Sequence, residues 1–286
     1  MEKEINALYR AYKDGKDSRR SFLRKLALIT GSSAAAVALF PVLEENDLKA
    51  AGTTGRASPE LSTGFVKYPA ETGDMRAYQA RPKKGKKLPG VIVIHENRGL
   101  VPHIQDVTRR MAGEGFLALA PDALSPLGGT PDDTSNVGEM FRKLDSEKTT
   151  KNFVAAIRYL KTNPLCSGKV GCTGFCWGGA MTNQVAVNAP DLDAAVPYYG
   201  RQPAPEDVEK IRAPIMAHYA GNDTGINAGI PAFEEALKKY GKEYQIFMYD
   251  GAMHAFNNDS NPERYNENAA KLAWERTVGF FKEKLK

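Results

Sequence analysis

Residues 174–179 read Gly-Phe-Cys-Trp-Gly-Gly. A reactive side chain spaced between glycines, in the pattern G-x-nucleophile-x-G, suits a sharp turn from a strand into a helix, where backbone segments come too close for side chains. The turn implies a mostly parallel sheet and places its central residue at a strand's carboxyl end, where ligands bind on such sheets. Here the central residue is Cys176, a thiol where a serine is the commoner nucleophile.

The flanking pattern agrees with such a sheet. From Leu61 onward, "GFVKYP" and "MRAYQARP" read as short strands joined by a turn at Gly73-Asp74. "LPGVIVIHENRGL" is a continuous apolar run of the kind buried on both faces of a parallel sheet. "VPHIQDVTRRMAGEG" then places Ile104, Val107 and Met111 at helical spacing, and "EKTTKNFVAAIRYLKTNP" does the same with Phe153, Ala156, Ile157 and Leu160. Further strands are read at "FLALAPD", "GKVGCTGF", "LDAAVPYYG", "APIMAHYAG" and "EYQIFMYDG", with helices at "IPAFEEALKKYG" and "NENAAKLAWERTVGFFKEKL". Alternating strand and helix predicts a mostly parallel sheet with helices on both faces, the α/β-hydrolase arrangement once the nucleophile turn is included.

Four residues fall at strand carboxyl ends: Glu96, Cys176, Asp223 in "AGNDTG" and His254 in "GAMHAF". Nucleophile, acid, then histidine is the chain order of hydrolase triads on this fold. A thiol needs a base, and the base needs a partner that fixes its tautomer; His254 and Asp223 fill these roles. Asp250, four residues before His254, is a rival acid, and Asp223 could equally cap the turn that follows it. His218 is read as a core residue and His103 as exposed at a helix start. His95 is set aside because strand alternation points it away from Glu96.

Other classes find little support. The net charge of +5 includes Lys83, Lys84, Lys86 and Lys87, which read as a solvated turn, and no RNA-binding signature accompanies them. Three cysteines make no disulfide framework, so Cys166 and Cys172 read as buried thiols, and no metal-ligand spacing or cofactor motif is present.

Residues 1–60 are read as a signal and linker, and 61–286 as one domain. "DSRRSFLRKLALITGSSAAAVALFPVL" resembles a twin-arginine export signal: Arg19-Arg20, a hydrophobic residue two positions on, then a mildly apolar run from Leu26 to Leu43. The run is less apolar than the roughly 20 residues a spanning helix uses. Cleavage is poorly marked, at Ala36-Val37-Ala38 or near Ala51, so a periplasmic protein and a membrane-anchored one both remain open.

"VIVIHENRGL", "LAPDALSP", "GKVGCTGFCWGGA", "VPYYG", "AGNDTGI" and "GAMHAFNND" together resemble the dienelactone hydrolase family, the cysteine-using branch of the α/β-hydrolases, over Leu61 to Lys286. The resemblance implies a Cys176–His254–Asp223 triad assisted by Glu96, hydrolysis of small enol esters or lactones, and no cofactor. It also implies a resting thiol kept neutral until substrate brings it to Glu96, and an oxyanion hole from the backbone N–H groups of Trp177 and Asn97. The family binds a substrate carboxylate with arginines, one a few residues beyond the histidine, whereas this chain reads His254-Ala255-Phe256-Asn257-Asn258 there. Arg98, Arg201 and Tyr199 are the candidate substrate-binding replacements. Acyl transfer or peptide hydrolysis on the same fold, and a non-catalytic exported binding protein, are the alternatives. The sequence leaves oligomeric state open.

Overall fold

A computed structural model describes residues 2–13, 17–32, 35–36, 39–40, 43, 60–85 and 87–286. The chain divides into two compact units, Met1–Ser58 and Pro59–Lys286.

In the first unit, α1 spans Glu2–Lys13 and α2 spans Arg19–Thr30. The Ser18 hydroxyl caps α2 by accepting from the Ser21 N–H at 3.2 Å, and Gly31 ends the helix in a left-handed conformation, φ 73°. Ile5, Tyr9, Phe22 and Leu26 form a buried cluster that Phe40 and Leu43 join. The paired arginines open α2. Of the two processing candidates, Val37, Ala38 and the stretch near Ala51 lie outside the described residues. No helix among the described residues is long and apolar enough to cross a membrane.

The second unit is built on an eight-stranded sheet. Its strands are β1 (Leu61–Ala70), β2 (Gly73–Pro82), β3 (Leu88–Ile94), β4 (Leu117–Pro121), β5 (Cys166–Phe175), β6 (Ala194–Tyr198), β7 (Ile215–Asn222) and β8 (Tyr244–Met253). Their spatial order is β1-β2-β4-β3-β5-β6-β7-β8. The first two strands are antiparallel, and every pairing from β4 to β8 is parallel. The hairpin turn is Glu71-Thr72, not Gly73-Asp74 as the glycine suggested. Gly73 instead pairs with Ala70 and, at φ 107°, supplies the left-handed residue that closes a two-residue loop.

Helices α3 (Pro102–Gly113), α4 (Val137–Arg142), α5 (Ser146–Thr162), α6 (Trp177–Asn188), α7 (Thr224–Asn227), α8 (Ile230–Lys239) and α9 (Glu267–Lys284) complete the unit. Alternation along β3 explains the two-sided core. Ile92 and Ile94 pack with Phe153 of α5, Val185 of α6 and Phe233 of α8, while Val91 and Val93 pack with Ile104 and Met111 of α3 and Phe281 of α9. Each such side chain removed from water contributes about 1.5–3 kcal/mol. The sheet is thereby covered on both faces, and its carboxyl edge is left to the loops.

The buried histidine of β7 belongs to this core. His218 bonds Tyr249 Oη at 2.9 Å and Thr277 Oγ1 at 3.1 Å, and burial drives its basicity down to about 3. Cys166 and Cys172 are likewise buried free thiols.

Candidate active site

Cys176 stands between the end of β5 and the start of α6 at φ 57° and ψ −115°, a conformation L-residues rarely adopt. Strain of this kind costs about 1–3 kcal/mol and is held in place by its surroundings. Those surroundings leave no room for side chains. A Cβ on Gly174 would strike the carbonyl of Gly178, and one on Gly178 would strike the carbonyls of Ile94 and His95. The Cys176 N–H donates to Tyr198 O at 3.1 Å, so the turn is locked to both neighbouring strands.

Asp223 and His254 follow β7 and β8, which lie side by side. His254 Nδ1 meets Asp223 Oδ2 at 2.5 Å. A carboxylate accepts, so Nδ1 carries the proton and Nε2 is left as the basic nitrogen. Asp223 Oδ1 also accepts from the Ile226 N–H at 3.4 Å, so this residue both holds the imidazole and caps α7. Asp250 is exposed on β8 and forms no described bond with His254.

Burial pushes the Cys176 thiol up to about 11. The Trp177 N–H opposes this, Glu96 and Asp223 add to it by repulsion, and the Arg264 guanidinium opposes it. Among the described residues, Sγ has no hydrogen bond to His254 or to Glu96, so the resting nucleophile is neutral. Glu96 is buried just beyond β3, and its Oε2 accepts from Asn258 Nδ2 at 2.7 Å.

Tyr199, φ 36°, lies 5.1 Å from the His254 ring between centroids. Its hydroxyl is buried without a hydrogen-bond partner, and burial, then Glu96 and Cys176, hold its acidity well above the usual phenol range. An unmet buried donor beside the thiol is available to a ligand.

His95 is placed differently from the strand-alternation reading. It lies one residue past β3, where alternation no longer applies, and is fully buried. Its Nε2 accepts from the Ala123 N–H at 3.0 Å, and its Nδ1 donates to Glu96 O at 2.7 Å. A backbone N–H can only donate, which fixes this tautomer. Burial holds the ring neutral against the pull of Asp122, and the ring stacks on Trp177 at 5.6 Å and 12°. His95 thus braces both segments whose N–H groups, Asn97 and Trp177, were expected to bind an oxyanion. No described backbone carbonyl takes either N–H.

His103, expected exposed, is turned inward, with Nδ1 3.0 Å from Asp259 Oδ1. Arg98 and Arg201 are both exposed and make no described side-chain bond to Cys176, Glu96, Asp223 or His254. The cation felt by the thiol is Arg264, on the loop after β8, which the sequence pattern did not single out. No cluster among the described residues has the makeup of a metal site.

The Dienelactone hydrolase family profile matches residues 75–285, nearly all of the second unit. A protein from Saccharolobus solfataricus, provisionally assigned as a carboxymethylenebutenolidase, is 33% identical over 253 residues, covering 75% of this chain and 96% of its own. The chain belongs to the dienelactone hydrolase family. It is therefore a hydrolase. Another relative, protein usf of Aquifex pyrophilus, is 37% identical over 229 residues, covering 77% of this chain and 98% of its own. Among solved structures, a provisionally assigned dienelactone hydrolase from Klebsiella pneumoniae superposes with a TM-score of 0.71 at 29% identity, covering 78% of this chain and 99% of that one. The part of the chain shared with these dienelactone hydrolase relatives thus spans most of their length.

Proposed function

We propose that the protein hydrolyses small enol esters or lactones through Cys176, His254 and Asp223, with Glu96 assisting. The observation that carries this reading is the 2.5 Å His254–Asp223 bond at the sheet edge where the strained turn presents Cys176. Substrate binding brings the neutral thiol toward Glu96, which relays its proton to His254 Nε2. The thiolate adds to the carbonyl carbon, and the oxyanion is held by the N–H groups of Trp177 and Asn97. The C–O bond then breaks, and the imidazolium protonates the departing oxygen. Water, losing a proton to His254, attacks the thioester; the C–S bond breaks and Cys176 recovers its proton. Asp223 stabilises each imidazolium.

Tyr199 Oη supplies a hydrogen bond to a polar substrate atom, a role supported by its buried, unmet hydroxyl. Arg98 and Arg201 serve the outer end of a substrate, where an anionic group would meet them in solvent. The test is trapping: His254→Gln incubated with an activated aryl ester should accumulate an acyl thioester on the Cys176 peptide. Acylation elsewhere, or none, would contradict the mechanism.

Residues 1–60 are proposed as a twin-arginine-type signal and linker that exports the hydrolase unit, a reading supported by the separate compactness of Met1–Ser58. Replacing Arg19 and Arg20 by Lys should leave the protein in the cytoplasm on cell fractionation. Unchanged export would contradict the signal.

A further inference from the structure

The inner wall around Cys176 carries negative charge that is satisfied by hydrogen bonds without being neutralised. Glu96 is only 8% exposed, and among the described residues its carboxylate enters no ion pair; its partner is the amide of Asn258. The far end of that amide fixes its orientation. Asn258 Oδ1 accepts from the Ser260 N–H at 3.0 Å and from the Ser260 hydroxyl at 2.5 Å. A backbone N–H can only donate, so the oxygen faces Ser260 and the NH₂ faces Glu96.

The loop that carries Asn258 is itself held. Asn258 N–H donates to Ala255 O at 3.0 Å, and Asn266 N–H donates to Phe256 O at 3.0 Å. The neighbouring Asp259 is pinned to α3 by His103 at 3.0 Å and Arg110 at 3.2 Å. Asp223, its side chain 12% exposed, is a second carboxylate near the thiol. Arg264, the cation that acts on Cys176, stands in solvent, where its charge is screened.

We infer that Asn258 makes the space beside Cys176 selective for uncharged acyl groups. A neutral amide satisfies Glu96 without cancelling its charge, so an anionic group brought within reach of Glu96 meets repulsion at low local dielectric. Anionic groups are tolerated only further out. The consequence for turnover rests on the proposed role of Cys176, whereas the charge selectivity is a property of the thiol's surroundings and can be measured without turnover.

Iodoacetamide and iodoacetate test it, because they share one reaction and differ in charge: the thiolate forms an S–C bond and iodide leaves. Cys166 and Cys172 are buried, and the Cys176 peptide identifies the site by mass. The iodoacetamide-to-iodoacetate rate ratio at Cys176 should exceed that of 2-mercaptoethanol at least tenfold. A ratio equal to or below that of the free thiol overturns the inference. Asn258→Arg should lower the ratio at least fivefold and Asn258→Asp should raise it; two folded variants with the wild-type ratio would overturn the part given to Asn258. The same ordering is expected in kcat/KM for an aryl acetate over its hemisuccinate. Absence of turnover on both esters would contradict the hydrolytic reading, while the alkylation ratio would still decide the charge selectivity.

Discussion

Asp223 and His254 are joined by a 2.5 Å bond through Oδ2, while the other oxygen of the same carboxylate accepts from the N–H of Ile226. Two anchors leave the carboxylate little freedom, and the imidazole inherits that order. Asp223→Asn should therefore lower kcat on the order of a thousandfold or more, with little change in KM, because an amide permits the wrong tautomer. Asp250→Asn, altering an exposed carboxylate, should leave kinetics unchanged. Steady-state rates on one aryl ester check both, and equal losses would overturn the assignment.

The raised thiol gives a pH dependence of definite sign. With Cys176 at about 11, only the protonated form is populated at neutral pH, so its alkylation by iodoacetamide should rise tenfold per pH unit beyond pH 9. A plateau near pH 8 would contradict this. Glu96 repels the thiolate, so Glu96→Gln should lower the thiol's value and speed alkylation at pH 8, yet slow ester turnover. Opposite effects on the two rates separate an activating residue from one that merely packs.

His95 donates to Glu96 O and accepts from the Ala123 N–H, and two substitutions divide those bonds. The amide of His95→Asn can replace the Nδ1 donor, whereas that of His95→Gln reaches toward the Nε2 position. If the tether to Glu96 O sets the oxyanion hole, kcat should fall about tenfold more in Gln than in Asn, at similar KM, within the range expected for a displaced donor. Equal losses would make His95 a packing residue only.

Backbone strain at Cys176 predicts a stability difference between two inactive variants. Ala keeps a Cβ at φ 57° and Gly does not. Cys176→Gly should be more stable than Cys176→Ala by about 1–3 kcal/mol. The Tm should be higher by about 2–4 °C per kcal/mol in a domain of this size. Calorimetry showing Ala the more stable would remove strain from the account.

Much of this architecture was legible in the sequence because its signals are local. Val91–Ile94 is apolar enough to be buried on both faces, Gly174 and Gly178 announce the turn, and Asp223 and His254 close their strands. What escaped depends on chain segments distant in sequence. Asn258 meets Glu96 across 162 positions, through a loop of turns with no periodicity. His95 was misread because β3 ends one residue before it, and Arg264 reaches the thiol by charge alone. The hairpin turn was displaced two residues because Gly73 serves its conformation rather than its centre.

The most direct test of the account is hydrolysis of enol lactones and activated aryl esters by wild type and Cys176→Ala, purified side by side. The account predicts turnover in the wild type and a loss of at least a thousandfold in the variant. Equal rates in the two would show that Cys176 is not the nucleophile.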